Sequence, residues 1–322
     1  MRRWATAVLT LLAMASAGGA AAQNFPERPI TIVNPYSAGG PADLLARTIT
    51  GPMGEILGQP VVVENKPGAG TAIAASYVAR SKPDGYTLFI GGAPTHIVNP
   101  AIRENVGYKG IDDFATVATI AVIPNVLVVP SSRPWTSVKK LVAAAKEAGG
   151  SMTFGSVGVG SLPQMLGVLL QQRGDIKLTH VPYKGAAPTV VDLLAGNVDM
   201  AFLNVSPVLG HVRDGKLRAL GVANDVRATQ LPDVPTMEEA GFPDFAMSTW
   251  YGISAPAGTP KSTLEALAGA IEKSLKMPEV AKTLEERGAQ VAYRGPDEFA
   301  AFLKADAERM LDLIEASGIK PN

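Results

Sequence analysis

Ser37-Ala38-Gly39-Gly40-Pro41 joins a short apolar stretch, Ile30–Asn34, to a run of apolar residues at helical spacing that starts at Ala42. Proline suits the first helical position, because its fixed φ matches a helix start and its missing N–H would go unpaired there anyway. The small residues before it leave neighbouring N–H groups uncovered, and the positive end of the helix dipole points the same way. Such a turn can hold an anion, and it can equally be a plain connector. The pattern recurs at Gly155-Ser156-Val157-Gly158-Val159-Gly160-Ser161-Leu162-Pro163-Gln164, where Ser161 and Gln164 have the spacing of a capping box. A nucleotide loop is excluded there: Pro163 stands where a third glycine is needed, and no lysine–hydroxyl pair follows. The third stretch is His180–Pro188. Its Tyr183 can stack on a ligand or close the domain surface, and Lys184 can meet an anion or only water. Asn204 and Ser206, and Thr95 and His96 after Gly91-Gly92, are polar residues just beyond strand-like runs. Asp43 can cap the free N–H groups near Gly40 and pair with Arg47 one turn on, a structural role preferred over ligand contact.

No catalytic or metal-binding set accompanies these loops. His96, His180 and His211 stand apart with no metal-ligand spacing, and the chain has no cysteine. Ser156 has Gly155 directly before it, so the G-x-S-x-G nucleophile spacing fails. Glu238-Glu239 and Glu285-Glu286 fall in helix-like, solvated stretches. No cofactor, metal or enzymatic activity is expected.

The elements that must position the loops alternate. Strand 30–34, helix 41–57, strand 61–64, helix 71–80 and strand 86–91 predict a parallel sheet with right-handed crossovers. The apolar run Phe114–Val129, broken only at Pro124-Asn125, is too long for one strand of a compact domain and reads as a crossing into a second one. There, helix 138–148, strand 152–156, helix 163–172, strand 178–181, helix 188–194 and strands 198–203 and 217–222 form another α/β unit. The stretch 244–255 can cross back, and a helical tail follows at 261–276, 279–287 and 297–317, each helix starting near a proline. Two crossings predict a discontinuous first lobe, 23–125 plus 246–322, a second lobe at 126–245, and a hinged cleft between them.

Arg2-Arg3, the apolar run from Trp4 to Ala15 and Ala20-Ala21-Ala22 read as a signal peptide over 1–22, with cleavage after Ala22. Without a cysteine no lipid anchor follows it, so an unanchored periplasmic protein is expected. Loss of Arg2 and Arg3 takes the basic residues from 29 to 27 against 29 acidic ones. That balance argues against nucleic acid or an anionic membrane as partner.

The chain resembles the periplasmic solute-binding proteins of tripartite tricarboxylate transporters, the Bug-type receptors. The resemblance rests on PERPITIVNPYSAGGPADLLAR (26–47), VVVENKPGAG (61–70), KPDGYTLFIG (82–91), HVPYKGAAPTVVDLLAGNVDMAF (180–202), GKLRALGV (215–222), LPDVPTMEEAGFPDF (231–245) and APAGTPKSTLEAL (255–267). It implies a two-lobed α/β fold of the type II periplasmic-binding class, with two hinge-crossing strands and a central cleft that closes on a small carboxylate. It further implies a ligand site of Tyr36, Ser37, Ala38, Gly39 and Gly40 with Asp43 behind them, then Thr95 and His96, Ser156, Gly160 and Ser161, Tyr183, Lys184 and Gly185, and Asn204. Family members often carry Phe at the Tyr36 position and Ser or Gly with Thr at Pro41-Ala42. The implied partners are membrane transporter subunits, or alternatively a sensor kinase, with the receptor itself a monomer that does not insert into the membrane. The cleft loops contain no arginine, so charge recognition is expected from helix N-termini, amides and waters. An exported hydrolase or isomerase is the rival, and it lacks the residues it would need.

Overall fold

The computed structural model describes residues 25–319; the expected leader and its cleavage point lie outside them. The chain opens as β1 (Ile30–Asn34), α1 (Pro41–Leu57), β2 (Val61–Asn65), α2 (Ala72–Ala79) and β3 (Thr87–Gly91). A π-turn at Pro94–Val98 leads into the short α3 (Asn99–Ile102), then β4 (Phe114–Ile123) and β5 (Asn125–Pro130). Next come α4 (Val138–Glu147), β6 (Thr153–Ser156), α5 (Leu162–Gly174), β7 (Thr179–Pro182), α6 (Ala186–Ala195), β8 (Met200–Asn204), α7 (Val205–Arg213) and β9 (Leu217–Ala223). The chain returns through β10 (Thr249–Pro256) and ends with α8 (Lys261–Leu275), α9 (Pro278–Glu286), β11 (Gln290–Arg294) and α10 (Pro296–Ala316).

Two sheets organise two lobes, in the orders β11-β4-β10-β3-β1-β2 and β7-β6-β8-β5-β9. β1 lies between parallel neighbours, β2 and β3. Its Ile30, Ile32 and Val33 are fully buried, because a strand covered on both faces has no solvent side to alternate with. Ala42, Leu45, Ala46, Ile49 and Met53 bury one stripe of α1 against the same core.

The sheets are mixed, which corrects the expectation of parallel ones. β10 runs antiparallel to both β3 and β4, and β5 antiparallel to both β8 and β9. Local strand–helix alternation reports only on consecutive units, while the strands that enter and leave a lobe are inserted from outside that rhythm. Three elements were not foreseen. α7 carries Pro207 and Gly210, which mask its helical pattern; β11 is a five-residue edge strand inside a tail read as wholly helical; and α3 follows directly on the π-turn.

The lobes are joined closely. A single residue, Pro124, separates β4 from β5. Asn125 Nδ2 donates to Thr249 Oγ1 at 3.2 Å, tying the outgoing and returning crossings together. α10 packs against β4 and α5, elements of different lobes. Gly252 is required at its contact with β10, since a Cβ there would lie 2.5 Å from the Phe299 ring. Phe299, Leu303, Met310 and Leu313 thereby share one buried cluster with Phe154, Met165 and Phe202 of the second lobe.

Candidate functional site

A cavity of about 840 Å³ opens between the lobes. Its wall takes the first residues of four helices: Pro41 and Ala42 of α1, Leu162 and Pro163 of α5, Ala186 of α6, and Ser206 and Pro207 of α7. The residue ahead of each helix, Gly40, Ser161, Gly185 or Asn204, makes no side-chain capping bond. Four positive dipole ends, one from the first lobe and three from the second, therefore line the cavity, although Val205 N at the start of α7 donates to the Pro124 carbonyl at 3.2 Å and Pro41, Pro163 and Pro207 carry no N–H. Between them the wall is mostly hydrocarbon, including Val98, Ile123, Met247, Trp250 and Met310.

Among the residues expected from sequence, Tyr36, Gly39, Gly160, Ser161, Gly185 and Asn204 stand on this wall. Tyr36 is half-buried, and desolvation, reinforced by Tyr108, pushes its phenol up to about 12, so it acts as a neutral hydroxyl. Its carbonyl accepts from Asn65 Nδ2 at 3.1 Å. Ser37 and Ala38 are exposed at the turn and off the wall. Gly40, also off it, donates to the Ser37 carbonyl at 3.4 Å.

Asp43 lies behind the loop, as the sequence suggested. Its buried carboxylate accepts from Gly39 N at 2.9 Å, Arg47 Nε at 3.0 Å and Asn65 Nδ2 at 2.9 Å. The Arg47 bond first, then the Gly39 and Asn65 donors, hold its pKa down to about 2 against the opposing effect of burial. With three donors already engaged, it shapes the loop and does not face the cavity.

Thr95 and His96 also turn away from the cavity, a correction to their expected place on it. The π-turn presents Ala93, Pro94 and Val98 to the wall and turns these two side chains into the first lobe. Thr95 Oγ1 donates to Thr71 Oγ1 at 2.9 Å. His96 is fully enclosed by Phe89, Phe114 and Trp250, and desolvation lowers its pKa to about 4.

On the second lobe the supports are equally distinct from the wall. Ser156 is fully buried; its Oγ lies 2.7 Å from His180 Nε2 and donates to the Gly158 carbonyl at 3.1 Å. This Ser–His pair has no exposed oxygen to attack a substrate, and it pins the glycine loop. The expected reciprocal capping box is not formed: Gln164 Oε1 accepts from Gly160 N at 2.7 Å, and Ser161 Oγ donates to the Gly158 carbonyl at 2.6 Å. Tyr183 donates to Asp192 Oδ2 at 2.7 Å, the surface-closing role, and Lys184 is a solvated charge. Both lie off the wall.

Sequence reasoning missed the far side of the cavity. Trp250 lines it and donates from Nε1 to the buried Asp306 at 2.8 Å. Burial raises the Asp306 pKa, opposed by that bond and by Arg309 and Arg294. Contrary to the expectation of no arginine, Arg287 reaches the wall from the end of α9. A tryptophan in the crossing segment was the available signal for Trp250; nothing local marked Arg287. The lobes touch here: a Cβ on Gly160 would lie 3.0 Å from Ile102 Cδ1 of the other lobe. A second cavity of about 630 Å³ shares Ser248, Trp250 and Asp306. Its wall sets Asp225, Glu285 and Asp306 against Arg294 and Arg309, an unfavourable balance for an anion. Among the described residues there is no metal-binding cluster, and no helix is long and apolar enough to cross a membrane.

The family model described as tripartite tricarboxylate transporter family receptor matches residues 45–319. Protein BugT of Bordetella pertussis is 34% identical over 311 residues, covering 95% of each chain. Rpa4515 of R. palustris, solved with adipate, is 33% identical and superposes with a TM-score of 0.77 over 92% of this chain and 100% of its own. MatC from Rhodopseudomonas palustris, solved with bound malate, is 32% identical, with a TM-score of 0.72 over 90% of this chain and 100% of its own.

Proposed function

The chain belongs to the tripartite tricarboxylate transporter receptor family, and from that premise we propose that it captures a small organic carboxylate between its lobes and delivers it to a membrane transporter of that type. Family and fold are those of periplasmic solute-binding receptors, which bind without transforming their ligand. The observation that carries the ligand class is the convergence of four uncapped helix N-termini from both lobes on one cavity. One such terminus contributes roughly 0.3–1 kcal/mol when exposed and about 2 when partly buried. Micromolar affinity needs about 8 kcal/mol. Four termini, strengthened by exclusion of water and joined by apolar contact, reach that range where one cannot. The proposed lobes are 23–125 plus 246–322 and 126–245, with α10 packing on both.

Protein unfolded and refolded to strip carried-over ligand is titrated with malate and adipate, and separately with their neutral diamides. Thermal stability and tryptophan emission are followed together. Trp250 stands on the cavity wall, so a carboxylate that binds there raises the melting temperature and alters emission. Equal responses to the diamides would refute recognition by the helix termini.

A further inference from the structure

We propose that Arg287 is a specificity residue that pairs with a second anionic group of the ligand, so that the cleft selects dicarboxylates with an apolar spacer over monocarboxylates. The inference rests on the carboxylate reading and adds to it a residue that no loop motif contains. Two charged side chains stand on the cavity wall, Arg287 and Asp306. Asp306 is buried and engaged, accepting from Trp250 Nε1 at 2.8 Å with Arg309 at 3.8 Å. Arg287 is exposed, and among the described residues the one polar contact of its side chain is a long bond of 3.4 Å from Nη1 to the Leu44 carbonyl. A guanidinium has five donors, so most of its capacity is uncommitted.

Its position distinguishes it from the helix termini. Leu44 lies three residues into α1, about 4.5 Å along the axis from Pro41, and its carbonyl points further toward the C-terminal end. Arg287 therefore lies beside the body of the helix, about a turn from the amides that would hold a first carboxylate. The wall between other parts of the cavity is hydrocarbon, which suits a methylene spacer and not a third charge. Gly288, the next residue, faces Ser206 at the start of α7, where a Cβ would lie 3.4 Å from the serine Cβ. Arg287 thus stands where the two lobes meet, and its charge can act on a ligand held by both. Guanidinium and carboxylate match in plane and donor spacing, so the pair also fixes the orientation of the bound chain.

The test is calorimetric titration of the refolded full chain with adipate and with hexanoate, its monoanionic counterpart of equal length. Wild-type protein is expected to bind adipate at least tenfold tighter, the scale of one partly solvated charge-assisted bond. Arg287→Met should cut the adipate-to-hexanoate affinity ratio by about tenfold, and Arg287→Lys by less, since lysine keeps the charge but not the fork. Thermal melting of the free variants checks that both remain folded. A ratio near one in wild type, or an unchanged ratio in Arg287→Met, overturns the role of Arg287 and leaves the carboxylate reading standing. Binding of neither acid by wild type overturns the role of Arg287, and overturns the carboxylate reading as well when malate too leaves the melting temperature unchanged.

Discussion

Replacing Asp43 by alanine removes no residue of the cavity wall, yet it should weaken both the fold and the site. The carboxylate is 3% exposed and accepts from Gly39, Arg47 and Asn65 at once. Its pKa falls from 3.8 to about 2, which taken alone corresponds to about 2.4 kcal/mol. Arg47, its strongest partner, is 50% exposed, and screening of that pair reduces the figure to about 1–1.5 kcal/mol. The sign follows from the depressed pKa. The contribution is fully present above the unfolded value of 3.8 and disappears as pH falls through about 2. Urea unfolding of wild type and Asp43→Ala should therefore differ by about 1–1.5 kcal/mol, plus the cost of unpaired donors, at pH 7, and the difference should shrink between pH 4 and pH 2. Ligand affinity should fall as well, because the Gly39 amide loses the acceptor that fixes its direction. A stability difference that stays constant across that acid range would refute the electrostatic account of the loop.

Two further outcomes follow from named contacts. Gly160→Val puts a branched side chain at φ +77° and within 3.0 Å of Ile102 across the cleft; ligand affinity should drop by at least tenfold while solution scattering shows the lobes held further apart, and unchanged scattering would count against it. His96 is neutral in its aromatic enclosure with a pKa near 4, so the folded chain loses stability as pH falls from the unfolded value of 6.5 toward 4; His96→Leu should flatten that part of a melting-temperature profile, and an unaltered profile would contradict the assignment.

The limits of α1 are legible in the sequence because proline opens it, an apolar stripe runs through it and glycine closes it. The same logic locates the turns before α5 and α6. What stayed hidden depends on contacts remote in the chain. Arg287 meets Leu44 across 243 residues, and Trp250 and Met310 reach the cavity only because the chain returns through β10 and α10. Thr95 and His96 show a different failure. Polar residues after a strand were read as facing the cleft, but a π-turn rotates them into the lobe and leaves Ala93, Pro94 and Val98 at the surface of the cavity. Ser156, Tyr183 and Asp43 lie in the right segments and act on the loops from behind.

α10 has a consequence for the order in which this chain can mature. Its side chains complete a buried cluster drawn from both lobes, and the first sheet also waits for β10 and β11. A chain emerging from its N-terminus can make β1, β2 and β3 early, but it cannot close their core before residue 249, nor the shared cluster before Ile314. The first lobe therefore cannot mature as an independent early domain, whereas the second has its whole sheet by Ala223 and a buried cluster, Val126 to Leu231, made from its own residues. Final assembly of the first lobe and of the shared cluster therefore waits for the C-terminal helix, and a chain halted short of α10 should keep that lobe open and protease-sensitive.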